Sequence, residues 1–120
     1  MAINSRQKGA AGEREWAKWL NKTFHLNARR GCQHSGGVDS PDVADGIPGT
    51  HVEVKRVERL NINSAVDQAL ADCGDNVAYV AHRRNRKAWL ITIQAEDLLR
   101  FINKIQLAKK IEEFNNDEKY

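Results

Sequence analysis

The sequence predicts an α/β or α+β domain in which a central sheet is covered by helices. Its 120 residues suffice for one core and are too few for two. Apolar spacing switches along the chain between the three-and-four rhythm of a helix and the alternation of a strand. The resulting order is helix, three strands, helix, two strands, helix, which places the strands in the middle layer. The expectation is a single domain over residues 1–120, with a charged tail, helical or flexible, from about residue 106.

Trp16, Trp19, Leu20 and Phe24 recur at helical spacing and predict a first helix over residues 10–24, approached through Ser5–Gly9. A short strand follows around Ala28–Gln33, then a turn at Ser35-Gly36-Gly37. Pro41–Ala44 reads as a brief strand entering the turn Gly46–Gly49. His51–Val57 is the clearest strand, with Val52 and Val54 on one face and His51, Glu53 and Lys55 on the other. Asn61 or Asn63 caps a helix over about 64–73, ended by Gly74. Val77–His82 and Ala88–Ile93 form a hairpin, and a helix runs from about Ala95 to Ile105.

With 41% of residues hydrophobic, a folded globule is expected. No run approaches the 18 apolar residues of a membrane span. The opening MAINSRQKGA lacks the apolar stretch of a secretory signal, so the expected location is cytoplasmic. Cys32 and Cys73 have neither CxxC nor zinc spacing and are read as reduced thiols.

Net charge is +3, unevenly spread. Residues 1–31 hold seven basic and two acidic residues, and Arg83, Arg84, Arg86 and Lys87 crowd one short turn. Concentrated basic patches on a nearly balanced chain suit a phosphate backbone, and Arg83, Arg84 and Arg86 are assigned as DNA contacts.

The chemistry lies in Pro41-Asp42 followed by His51-Val52-Glu53-Val54-Lys55. Glu53 and Lys55 share a strand face, and pairing of two short strands brings Asp42 beside Glu53. Converging carboxylates are hard ligands suited to Mg²⁺, with Mn²⁺ able to substitute. Such a metal neutralises a scissile phosphate and lowers the pKa of water. Lys55 orients that water or stabilises charge growing on phosphorus. Glu13, beside Trp16, offers a third carboxylate. A solvated strand face would carry the same Glu-x-Lys pattern, but Val52 and Val54 set this strand against the core. Trp16 and Trp19 are assigned to the core. His25, His34, His51 and His82 have no metal spacing, although His51 shares the face of Glu53 and His34 lies near Asp42. Asp39 and Asp45 read as turn residues, and Ser35 has no catalytic partners.

Pro-Asp, a spacer and Glu-x-Lys resemble the signature of the PD-(D/E)xK nuclease superfamily. Lys8-Gly9-Ala10-Ala11-Gly12-Glu13-Arg14-Glu15 resembles the opening of archaeal-type Holliday-junction resolvases, a layout shared by small phage-encoded nucleases. The resemblance spans residues 8 to about 93 and implies a restriction-endonuclease-like mixed sheet flanked by helices. It implies an Mg²⁺-dependent endodeoxyribonuclease in the cytoplasm, of the host if phage-encoded, acting on branched DNA as a homodimer. By the same resemblance Glu13, Asp42 and Glu53 hold metal, Lys55 is catalytic and Arg14 lies near the DNA backbone. Arg29 or Arg30 matches a basic residue of the first strand, and Gln68 a glutamine near the site. Two alternatives stay open: another repair or flap nuclease of this superfamily, and a non-catalytic DNA-binding module. The apolar residues expected to supply a dimer surface are Leu98, Leu99, Phe101, Ile102, Ile105, Leu107 and Ile111, with the strand edges as an equal possibility.

Overall fold

Residues 50–56, where valine alternates with His51, Glu53 and Lys55, and residues 77–83, where valine, alanine and tyrosine follow one another, pair in parallel at the centre of the molecule. A computed structural model of the chain describes residues 5–31 and 42–117. In order, the elements are α1 (Ser5–Phe24), β1 (Arg29–Arg30), β2 (Val43–Ala44), β3 (Thr50–Arg56), α2 (Ile62–Asp72), β4 (Val77–Arg83), β5 (Leu90–Thr92) and α3 (Leu98–Asp117). A single 3₁₀ turn, Ala95–Asp97, leads into α3.

The main sheet has the order β3-β4-β5, parallel then antiparallel, and β1 pairs with β2 in a separate antiparallel ribbon. This mixed sheet flanked by helices is the α/β arrangement expected for a restriction-endonuclease-like domain. Parallel pairing of β3 and β4 requires a crossover, which α2 supplies. Strands covered on both faces lose the polar alternation of a half-exposed strand, and Val77–Ala81 is buried without interruption.

Register sorts the two faces. Val52 lies opposite Tyr79 and Val54 opposite Ala81, and all four join the core with Trp16 and Leu20 of α1. His51 lies opposite Ala78 and Glu53 opposite Val80, on the face where Ala65 and Ala69 of α2 pack. The Trp16 indole donates to the Tyr79 hydroxyl at 3.1 Å, so the largest buried side chains satisfy each other. Gly12 lets α1 approach β3. A Cβ there would lie 2.9 Å from Cβ of Arg56.

Several boundaries differ from expectation. Helix α1 starts at Ser5, and of the first strand only Arg29–Arg30 forms among the described residues. Asn61 caps α2 by accepting from the Ser64 amide at 3.1 Å, and Gly74 takes a positive φ beyond its end. The predicted hairpin is present, with β5 shortened to Leu90–Thr92. The charged tail is helical, continuing α3 to Asp117. Phe101, Ile105 and Ala108 form its inward stripe, and Phe101 meets Tyr79 at 5.2 Å between ring centroids. Trp19, expected in the core, is 36% exposed, because it lies at the rim of the α1 stripe with its ring stacked on Trp16. Expectations for Cys32, His34, Ser35–Gly37, Asp39 and Pro41 lie outside the described residues.

Candidate metal and active site

The site grows from the face of β3 that points away from α1. Glu53 is only 7% exposed and His51 3%, so the Glu-x-Lys pattern does not belong to a solvated edge. Lys55, next on this face, is half-buried and brings its Nζ to 3.7 Å from Glu53 Oε1.

Asp42 meets the edge of β3 that β4 does not occupy. Its amide donates to the Val52 carbonyl at 3.3 Å, and its Oδ2 accepts from the Val54 amide at 2.8 Å. The Gly31 amide in turn donates to the Asp42 carbonyl at 2.8 Å, tying the β1–β2 ribbon to the site. Backbone amide and side chain of Asp42 together therefore substitute for a neighbouring strand, one on either side of Glu53. Glu13 arrives from α1, buried, and its Oε2 accepts from Arg30 Nε at 2.6 Å.

Electrostatics register this crowding. Burial pushes the Glu53 carboxyl up to about 7, and the negative charges of Asp42 and Asp72 add to the rise while Lys55 opposes it. Burial likewise raises Glu13, with Asp42 adding to the rise and Arg30 and Arg14 working against it. Neighbouring acids with raised pKa values are poised to exchange protons for a cation.

Asp72, the last residue of α2, faces Glu53 from the opposite layer. One donor atom each from His51, Glu53 and Asp72 lies within 4.8 Å of the others. Two carboxylates and an imidazole make a donor set that fits a divalent cation. The oxygens suit Mg²⁺, and the imidazole extends the fit to Mn²⁺. Sequence spacing overlooked Asp72, although a signal existed: Ala65, Ala69 and Asp72 follow one another at four and three residues along the sheet-facing stripe of α2. An aspartate ending a stripe of small buried residues points inward.

Of the three carboxylates expected to hold metal, Glu53 alone belongs to the group of His51, Glu53 and Asp72 among the described residues; Asp42 acts on Glu53 and on Glu13 through its charge, and Lys55 contacts Glu53. Gln68 is exposed on α2, one turn before Asp72 on the same side of the helix. Arg14 is exposed beside Glu13. Between the two arginines of β1, Arg30 serves Glu13, whereas Arg29 pairs with Asp45. The basic hairpin divides similarly. Arg83 donates to the Lys87 carbonyl and to Glu15, while Arg84 and Arg86 are exposed at the tip. His82 donates to or accepts from Thr92 Oγ1 at 2.9 Å, and burial lowers its pKa, which disfavours a cationic role. His25 follows α1 with a positive φ and is exposed.

No helix among the described residues is long and apolar enough to cross a membrane. No protein-family model matches the chain, and no curated protein matches it. Among solved structures it is similar to Hjc, a Holliday junction resolvase of the archaeal hyperthermophile Archaeoglobus fulgidus. The two are 26% identical over 72% of each chain, with a TM-score of 0.49.

Proposed function

We propose that this protein is a metal-dependent endodeoxyribonuclease that hydrolyses phosphodiester bonds in DNA. One observation carries the reading: Asp42, fixed by backbone hydrogen bonds, holds a carboxylate beside a buried Glu53 that also meets Lys55 and Asp72. A fold gains nothing in stability from gathering these negative charges where burial already penalises them. A cation-dependent reaction gives them a purpose.

Asp42 and Glu53 are the principal metal ligands in this proposal, with Glu13, His51 and Asp72 completing or adjusting the set. A divalent cation supplies positive charge against the scissile phosphate and acidifies water. Lys55 holds positive charge for the negative charge that accumulates on the phosphate, and Gln68, exposed on α2 one turn before Asp72, is assigned a supporting role. Arg14, Arg84 and Arg86 lie exposed and available to the DNA backbone.

Branched DNA is the proposed substrate, on the strength of the Gly12-Glu13-Arg14-Glu15 opening combined with the Asp42…Glu53-x-Lys55 pattern. A four-way junction presents two equivalent strands, so paired incision requires two copies of the chain. Helix α3 leaves Leu98, Leu99, Ile102, Leu107 and Ile111 exposed, a surface that a second copy would cover. Cleavage of matched linear, flap and four-way-junction DNAs with Mg²⁺ or Mn²⁺, beside light scattering with and without junction DNA, tests both parts. Paired nicks by a dimer at the junction are expected. A monomer that nicks all three DNAs equally would leave a simpler nuclease.

A further inference from the structure

Trp19 sits on the inward stripe of α1, yet it reaches solvent while Trp16 and Leu20 beside it are fully buried. Its indole lies flat on that of Trp16, with centroids 4.7 Å apart and planes within 8°. Phe24 meets it edge-on at 6.4 Å. The ring is therefore held rigidly from one side and partly open on the surface.

It opens into a shallow groove of about 500 Å³ between α1 and the β4–β5 hairpin, where Trp89, Lys18, Lys22 and Lys87 also contribute to the walls. Glu15, the carboxylate among the lining residues, is already held by Arg56 and Arg83. The three lysines are exposed, so the open charge of the groove is positive. A rigid aromatic face among ammonium groups complements a planar base joined to phosphate. Bases inside a duplex have both faces covered by neighbours, so the ring is useful only to an unpaired nucleotide.

The groove shares Arg83, Lys87 and Ala88 with a pocket of about 470 Å³ on the other side of the hairpin. That second pocket includes His82, the register partner of Lys55. A strand crossing the hairpin would join the Trp19 groove to the sheet face that carries Glu53.

We propose that this groove binds an unpaired stretch of DNA, one base stacking on Trp19 and the adjoining phosphates meeting Lys18, Lys22 and Lys87. The assignment of the strand as DNA rests on the nuclease reading above; the stacking site itself does not require the metal cluster.

Tryptophan fluorescence of the full chain in EDTA, titrated with oligo(dT) and with a matched-length duplex, tests it. Oligo(dT) is expected to quench emission more strongly than duplex, with an affinity that falls as salt rises. Trp19→Leu keeps an apolar group against Trp16 and is expected to lower oligo(dT) affinity about 5- to 150-fold, the range of one lost base stack. Trp19→Phe should recover part of that loss. Lys18→Glu combined with Lys22→Glu leaves the core untouched and should weaken binding strongly, and it decides the matter if Trp19→Leu does not fold. Equal quenching by duplex, unchanged affinity in a folded Trp19→Leu or in the lysine variant, or equal quenching by poly-glutamate would each overturn the proposal, the last in favour of an acidic protein partner. Glu53→Gln separates this site from the nuclease reading. Failure of that reading leaves oligo(dT) quenching intact, and failure of the groove leaves metal-dependent cleavage of junction DNA, and its loss in Glu53→Gln, intact.

Discussion

The Asp42 carboxylate accepts a hydrogen bond from the Val54 amide at 2.8 Å, so the side chain that defines the site also completes the edge of β3. The two roles separate by substitution. Asp42→Asn retains an oxygen able to accept from Val54 and removes one buried negative charge beside Glu53. Its melting temperature is expected to equal or exceed that of wild type without metal. Asp42→Ala leaves the Val54 amide unsatisfied and should cost about 1–3 kcal/mol. Thermal melts in EDTA check this. Equal destabilisation by both variants would show that the charge, and not the hydrogen bond, anchors Asp42.

Glu53 gives a pH signature. Its folded pKa of about 7 lies above the ordinary 4.5, so the folded state retains a proton that the unfolded chain releases. This contribution is fully present below pH 4.5 and is lost as pH rises to about 7. In metal-free urea titrations, the stability of wild type relative to Glu53→Gln should fall over that window by roughly 3–4 kcal/mol, at about 1.4 kcal/mol per pKa unit. A difference independent of pH would place Glu53 in an ordinary carboxylate environment.

Gly12 tests how tightly α1 is set against the site. Alanine improves helix propensity by about 1 kcal/mol, but its Cβ would stand 2.9 Å from Cβ of Arg56, an atom fixed to the backbone of β3. Overpacking of this kind typically costs about 1–3 kcal/mol, so Gly12→Ala should lower the melting temperature. It should also reduce cleavage, because Glu13 is the next residue. A raised melting temperature would mean that α1 and β3 separate freely.

The hairpin arginines are expected to divide by function. Arg84→Ala with Arg86→Ala should leave the melting temperature unchanged and flatten the dependence of log affinity on log salt by roughly 0.9 per lost phosphate contact. Arg83→Ala should lower the melting temperature instead, because Arg83 ties the hairpin to Glu15 and to the Lys87 carbonyl. Identical salt slopes for wild type and the double variant would make the tip a solvated turn.

Much of this arrangement was legible in the residues themselves. Alternation in His51–Val57 identified β3 and the shared side of His51, Glu53 and Lys55, because period-two polarity survives wherever one face meets a core. Asn61 and Gly74 marked α2 through capping chemistry that is local to the chain. Asp72 was missed because its partner Glu53 lies across the crossover, a relation that depends on the register of α2 over the sheet. Trp19 was misplaced because its spacing matches Trp16 and Leu20, and periodicity cannot tell the centre of a buried stripe from its rim. Arg29 and Arg30, equivalent in sequence, were separated only by their partners, Asp45 and Glu13.

Single-turnover cleavage of a labelled four-way-junction DNA by wild type, Asp42→Asn and Glu53→Gln, in Mg²⁺ and in Mn²⁺, bears most directly on the nuclease reading. The wild-type protein should cut only with the cation present. Both variants should lose at least about 100-fold in rate while binding DNA as well as wild type or better, since one repulsive charge near the phosphate is gone. Cleavage at wild-type rates by either variant, or by wild type in excess EDTA, would contradict the assignment of Asp42 and Glu53 as the metal-holding carboxylates of a nuclease.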